Sequence, residues 1–322
     1  MISLILLIAI CIAFYVAWSI GSNSEVMATT IGTGIFSVRR AVLIAAVFSF
    51  IGALTLSKGV METIGRGIIT EEAFLQFPIA TVIIGASVGI WLTISTWRRI
   101  PVSTTHSILG AILGFGLMTA QKIDWTTVVK IILSIIFSPA LALILAVFFH
   151  YLLIRKYVER LDGIWGRERS EISLGFLQMI SAALVAFSFG GNDVAKAIGI
   201  LLPYFGNSNL FQLQLLGAIG IFLGILTWSS RVLRTVGKEI TELIPSSGFI
   251  IEISSAISIL FFTLIKMPVS VSHTLVGSTI GIGLARGVRK VRIETVKSIL
   301  FNWFVTIPFT MVLAGILTKI LI

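Results

Sequence analysis

Long apolar stretches separated by brief polar intervals set the pattern of the chain. The runs Ile2–Ile20, Ala41–Leu56, Phe77–Trp97, Val128–Ile154, Leu174–Phe189, Phe211–Trp228, Gly248–Ile265 and Ile299–Ile322 each approach or exceed the length that crosses a bilayer. That length is roughly 20 residues at helical rise. The pattern predicts an all-α polytopic membrane protein. The first run has no basic segment before it and no small-residue cleavage site after it, so it is expected to be retained as a span.

The polar intervals repeat. PVSTTHSILGAILGFG at Pro101 returns as PVSVSHTLVGSTIGIG at Pro268, a constant separation of 167 residues. Three glycines keep register (Gly110/Gly277, Gly114/Gly281, Gly116/Gly283), and two of the chain's three histidines, His106 and His273, take the same slot. GSNSEVMA at Gly21 matches GGNDVAKA at Gly190, and TIGRGII at Thr63 matches TVGKEIT at Thr235. Three blocks recurring in one order imply an internal duplication. The expected division is 1–154, a basic linker at 155–171, and 172–322.

Composition narrows the class. Of 322 residues 57% are hydrophobic and only 12% charged, about half the charged fraction of a soluble domain. The net charge of +10 is spread through short loops and forms no basic domain, so no nucleic-acid partner is expected. The single cysteine, Cys11, excludes an intramolecular disulfide.

Charge sets the expected orientation instead. Arg155, Lys156, Arg160, Arg167 and Arg169 crowd the central loop, which places it in the cytoplasm. Arg39 and Arg40 follow the first GSN block, while the matching loop near Asn207 is uncharged. Lys122 and Asp124 cancel after the first PVS block; Arg286, Arg289, Lys290, Arg292 and Lys297 follow the second. Basic loops of one half therefore face poor loops of the other, which predicts halves of inverted topology, five spans each, with both termini outside. Whether the GSN and PVS blocks lie on full spans or on re-entrant hairpins stays open, giving ten to twelve segments. Inverted repeats with interrupted helices are the architecture of secondary transporters, whose sites lie near the bilayer midplane.

The repeated blocks then acquire a chemical reading. Proline followed by Ser/Thr is a helix-start signature, and a helix starting inside the membrane aims free N–H groups and its positive end at an anion. Ser103, Thr104, Thr105, Ser270 and Ser272 would add neutral donors; one such block alone reads rather as hydroxyls bonded to their own helix or joining helices, and the repetition in inverted register reverses that preference. Asn192, Asp193 and Lys196 follow a long apolar run, where ionisable groups are costly. Asp193 is suited either to coordinating a hard cation with carbonyl oxygens of Asn23 and Asn192 or to carrying a proton; Lys196 either pairs with it or attracts the anion. Glu252 and Glu25 are further candidate carboxylates. His106 and His273 either tune the site or bridge helices.

These blocks resemble the inorganic phosphate transporter (PiT) family, which carries a duplicated G-x-N-D-x-x-N/K-A signature and a duplicated P-V-S-T/S-T/S-H block. The resemblance covers nearly the whole chain. It implies a cation-coupled symporter of inorganic phosphate, or of sulfate as in one branch, working by alternating access as a homodimer in the cell membrane, with no cofactor and with sodium or proton as coupling ion. It places Asn23, Asn192 and Asp193 at the ion and phosphate site. It puts Ser103, Thr104, Thr105, Ser270, Val271 (through its backbone), Ser272 and Thr274 on two phosphate-binding hairpins. The chain departs from the family at Ser24, where an Asp is expected and Glu25 stands next, and at Ser49, where a Glu is expected. Phe189 stands where a His is usual, and Lys196 where Asn is commoner. The expectation is a sodium site weakened or moved to Glu25, with Ser24, Glu25 and Glu252 as further cation candidates, and greater room for proton coupling.

Two other classes compete. Hydroxyl- and backbone-lined filters also occur in channels. Gly85-Ala86-Ser87-Val88-Gly89 fits the G-x-S-x-G pattern of hydrolases, but it lies mid-span with no strand-to-helix elbow. No Walker loop is present. An enzyme is not expected.

Overall fold

The structure, a computed structural model, describes residues 2–153, 163, 166–239, 244–287 and 293–322. The linker residues Arg155, Lys156 and Arg160, the loop residues Arg289, Lys290 and Arg292, and the end of the second TVGKEIT block (Ile240, Thr241) lie outside them. The described chain is helical, apart from an isolated antiparallel bridge between Ile69 and Ile123.

The first half contains α1 (Ile2–Ser22), α2 (Ala28–Gly32), α3 (Val38–Leu56), α4 (Lys58–Glu62) with a π turn at Thr63–Gly67, α5 (Glu71–Gln76), α6 (Ala80–Trp97), α7 (Thr104–Met118) and α8 (Trp125–Phe149). The second contains α9 (Arg167–Ile198), α10 (Leu202–Phe205), α11 (Leu210–Trp228), α12 (Ser230–Glu239), α13 (Pro245–Leu264), α14 (Val271–Arg286) and α15 (Ile293–Leu321). Eight of these, α1, α3, α6, α8, α9, α11, α13 and α15, are long and apolar enough to cross a membrane.

Two shorter helices answer the question left open by hydropathy. Helices α7 and α14 have 15 and 16 residues, about 23 Å at helical rise against a hydrocarbon core of ~30 Å. Each is the returning arm of a helical hairpin, α6–α7 or α13–α14, with a PVS block just past the tip. The GSN blocks behave differently from each other. The first falls where α1 ends and the chain turns at residues 23–27, whereas the second lies inside the unbroken α9.

Each hairpin arm packs on the final helix of the other half, α7 against α15 and α14 against α8. Glycine makes this possible. A Cβ at Gly110 or Gly114 would strike main-chain oxygens of Ile307 and Met311, and one at Gly277 or Gly281 those of Pro139 and Leu143. Close backbone approach at small residues is how helices associate where lipid removes the hydrophobic drive. The outer surface is apolar (Leu7, Ile136, Phe137, Phe176 and Ile320 are exposed), while hydroxyl and charged groups are collected inside. Arg39 and Arg40 begin α3, which runs alongside α9 from its Arg167–Arg169 end: Ser49 meets Gly190 and Leu56 meets Gly191.

Candidate functional site

Both hairpins turn by the same device. At the end of α6 the Ile100 N–H reaches the Ser95 carbonyl at 2.9 Å and the Arg99 N–H reaches Thr96 at 3.0 Å; at the end of α13, Met267 reaches Phe262 at 2.8 Å and Lys266 reaches Thr263 at 3.0 Å. This paired closure is the Schellman motif, with Arg99 (φ 60) and Lys266 (φ 64) in the left-handed position that glycine usually fills. A left-handed non-glycine residue costs about 1–2 kcal/mol, so the turns are held against strain.

An asparagine holds each turn. Asn23 Nδ2 donates to Thr96 Oγ1 at 3.0 Å and to the Ile100 carbonyl at 3.1 Å, and its Oδ1 accepts from the Val102 N–H at 3.0 Å. Asn192 does the same to Thr263 (2.9 Å), Met267 (3.2 Å) and Val269 (3.0 Å). Thr96 and Thr263 donate their own protons to Leu92 and Ile259, which leaves each hydroxyl oxygen free to accept. Both amides are buried. Loss of either would strand the polar groups it satisfies.

The arms then start as capped helices. Ser103 accepts from the His106 N–H at 3.2 Å, and Ser270 from the His273 N–H at 3.4 Å. Serine at this position satisfies one of the four orphan N–H groups of a helix start. The expected start at proline is thus corrected. Pro101 and Pro268 sit in the extended approach to the cap, because the serine hydroxyl rather than the missing proline N–H defines the first turn.

The two first turns meet. The rings of His106 and His273 lie 4.8 Å apart, and Thr105 Oγ1 donates to the Val269 carbonyl at 2.6 Å. Between these turns lies a buried ion pair. Lys196 Nζ stands 3.0 Å from Asp193 Oδ1 and donates to Thr104 Oγ1 at 3.0 Å and to the Val269 carbonyl at 2.8 Å. Its three protons therefore have three acceptors. Thr104 in turn donates to Asp193 Oδ1. Asp193 Oδ2 is buried with no hydrogen-bond partner. Spaced by three on α9, the pair shares one helix face. Glu25 is close enough to interact electrostatically with both, and the Ser272 hydroxyl lies near its carboxyl.

The expected residues thus fall into separate groups. Thr104, Asp193, Lys196, Glu25 and Ser272 converge. Asn23 and Asn192 brace the hairpins, and no hydrogen bond joins them to Asp193. The hydroxyls of Ser103 and Ser270 serve as caps, and Thr274 donates to the Ser270 carbonyl at 2.9 Å. Val271 opens α14 and is buried. Ser24 Oγ accepts from the Val26 N–H at 3.4 Å and shapes the turn after α1. Glu252 lies apart on α13, against Thr29.

Other residues of the reading have local explanations. Ser49 donates to the Ala186 carbonyl at 3.0 Å, a bond an ionised carboxylate there could not make. Ser87 bonds back to Ile83 within α6 at 2.8 Å. Thr96 and Thr263 were missed, although TWRRIPVS and TLIKMPVS carry them at the same 167-residue separation.

Comparison with known proteins identifies the family. The phosphate transporter family description matches residues 19–314. The Pyrococcus furiosus protein named "Putative phosphate permease" is 34% identical, the match covering 98% of this chain and 96% of that one. The Arabidopsis thaliana protein named inorganic phosphate transporter 2-1, chloroplastic, is 30% identical over 95% of this chain and 70% of its own length. A solved structure described as the sodium-dependent phosphate transporter superimposes with a TM-score of 0.89 at 27% identity, covering 98% of both chains. Matched over residues 19–314, the chain belongs to the phosphate transporter family.

Proposed function

We propose that the protein is a secondary transporter that carries inorganic phosphate with a coupling cation by alternating access. The observation that carries this reading is the buried Asp193–Lys196–Thr104 group between two helix starts. The first turns of α7 and α14 supply backbone N–H groups and the positive ends of two helix dipoles, which favour an oxyanion. Thr104 and Ser272 add hydroxyls. Lys196 is satisfied by Asp193, Thr104 and the Val269 carbonyl, so phosphate gains its charge only if Asp193 is compensated. A sodium ion or proton taken up at Asp193, with Glu25 beside it, provides that compensation. Cation and anion then raise each other's affinity by the same factor, which is the linkage a symporter requires.

The repeated hydrogen bonds at Asn23 and Asn192, and the exchange of α7 and α14 onto α15 and α8, support two inverted repeats that rock against each other around this group. Arg39, Arg40, Arg167 and Arg169 gather at one end, and Arg286 joins it through Ser247, beside the Glu171–Ser246 contact. At the other end Arg66 pairs with Glu71 and Lys266 with Glu62. Positive-inside bias assigns the first end to the cytoplasm and both termini to the outside. The working unit is read as a homodimer, which light scattering of the detergent-solubilised protein tests. Radiolabelled phosphate uptake into proteoliposomes, with sodium, pH and competing sulfate varied in turn, tests the function. Saturable uptake driven by a cation gradient is expected; no uptake of either oxyanion under any gradient overturns the reading.

A further inference from the structure

Glu252 is fully buried on α13, and the group around it lies outside the phosphate site. Its Oε1 accepts from Thr29 Oγ1, and its Oε2 is buried without a hydrogen-bond partner. One helical turn away on α13, Gly248 packs against the side chain of Gln178 from α9, and Gln178 Oε1 accepts from Thr33 Oγ1 at 3.0 Å. Gln178 is also fully buried, and its Nε2 has no partner. Glu25, Thr29 and Thr33 therefore follow one another at intervals of four residues: the first beside the Asp193–Lys196 pair, the second on Glu252, the third half-buried beside exposed Gly34. The segment from Glu25 to exposed Gly34 thus carries polar groups from beside the Asp193–Lys196 pair towards the start of α3.

No countercharge serves Glu252 among the described residues. On α9, Asp193 and Lys196 are paired with each other, and Glu171 is held by Ser246 near the start of α13. On α14, Arg286 is bound to Ser247 and His273 faces His106. On α8 the titratable group is Lys130, which is exposed; on α4, Glu62 is taken by Lys266 and Lys58 is exposed; α2 has none. An isolated carboxylate inside the membrane is costly unless it is neutralised. A hard metal cation takes several oxygen ligands, whereas a proton requires one lone pair. One carboxyl with one hydroxyl donor fits the proton.

We propose that Glu252 is a second cation station, between the phosphate site and the cytoplasmic end, that binds and releases the coupling proton. A proton bonds to Oε2 of the carboxylate to give the neutral acid while Thr29 holds Oε1. Its loss towards Thr33 and Gly34 regenerates the carboxylate. The proposal rests on the transport reading, and the test separates the two. Purified protein in proteoliposomes is assayed for phosphate counterflow at equal phosphate on both sides, and for uphill uptake under an inward pH gradient with an internal pH dye. Glu252→Gln is expected to keep counterflow within about twofold, yet lose gradient-driven accumulation and dye acidification by tenfold or more. Glu252→Asp, which keeps a titratable group, is expected to recover part of both. Absence of counterflow in the unaltered protein overturns the transport reading itself. Intact gradient-driven uptake in Glu252→Gln, or accumulation driven by sodium at equal pH and lost in that variant without any proton signal, overturns the station. Infrared difference spectra of the unaltered protein provide an arm whose overturning result does not depend on folding of a variant. A buried carboxylic acid band that appears and vanishes with pH and is missing from Glu252→Gln supports the proposal, and its absence from the unaltered protein counts against it.

Discussion

GSNSEVMA and GGNDVAKA occupy equivalent places in the two halves, yet one breaks its helix and the other does not. After Asn23 the Ser24 hydroxyl accepts the Val26 N–H, and the chain leaves α1 through a turn before α2 begins. After Asn192 the Asp193 carboxylate is directed to Lys196 and Thr104, its backbone stays helical, and α9 continues to Ile198. A short hydroxyl that competes for main-chain donors weakens a helix, and a side chain engaged elsewhere does not. The asparagine brace has the same partners in both halves, while the charged pair lies in the second. The first half contributes Glu25 and Thr104 to a group whose charged pair comes from α9.

That asymmetry can be broken most severely at Lys196. Lys196→Met leaves Asp193 buried without its cation, and removing one partner of a buried pair costs about 3–5 kcal/mol. Phosphate uptake is expected to be abolished, with a large drop in Tm of the detergent-solubilised protein. The braces offer the symmetric control. Asn23→Ala and Asn192→Ala each lose three hydrogen bonds and strand a buried Val N–H, so each should cost about 3 kcal/mol. Similar Tm losses from the two would confirm an equivalent structural role; a loss confined to one would refute it. Ser24→Asp sharpens the difference in charge. It restores a carboxylate beside Glu25, and the sodium concentration for half-maximal uptake is expected to fall on the order of tenfold, about 1.4 kcal/mol. Unchanged sodium dependence would show that the first block takes no part in cation binding. The smallest effect is expected at the hairpin turn, where Arg99→Gly relieves the left-handed strain and should raise stability by about 1 kcal/mol.

Much of this architecture is legible in the chain. Two PVS blocks at one separation, with three glycines in register behind each, foreshadow the two matching arms α7 and α14. Membrane class follows from hydropathy, because lipid leaves few alternatives for unpaired backbone, whereas the two hairpins emerge only in the structure. Other features depend on tertiary partners and leave no periodic trace. Nothing in the order Ser24-Glu25 distinguishes a broken helix from the intact one at Asp193-Val194. Ser103 and Ser270 read as anion donors until the structure shows them spent as caps. Thr29, four residues beyond Glu25, has no evident purpose until folding brings Glu252 against it.

The central claim is that the Asp193–Lys196 pair links anion to cation. Equilibrium binding of radiolabelled phosphate to the purified protein, measured while sodium and pH are varied independently, tests it most directly. Affinity is expected to rise with the coupling cation, and Asp193→Asn, which neutralises the carboxylate permanently, should remove that dependence while phosphate still binds. Phosphate affinity indifferent to both cations in the unaltered protein would contradict the account.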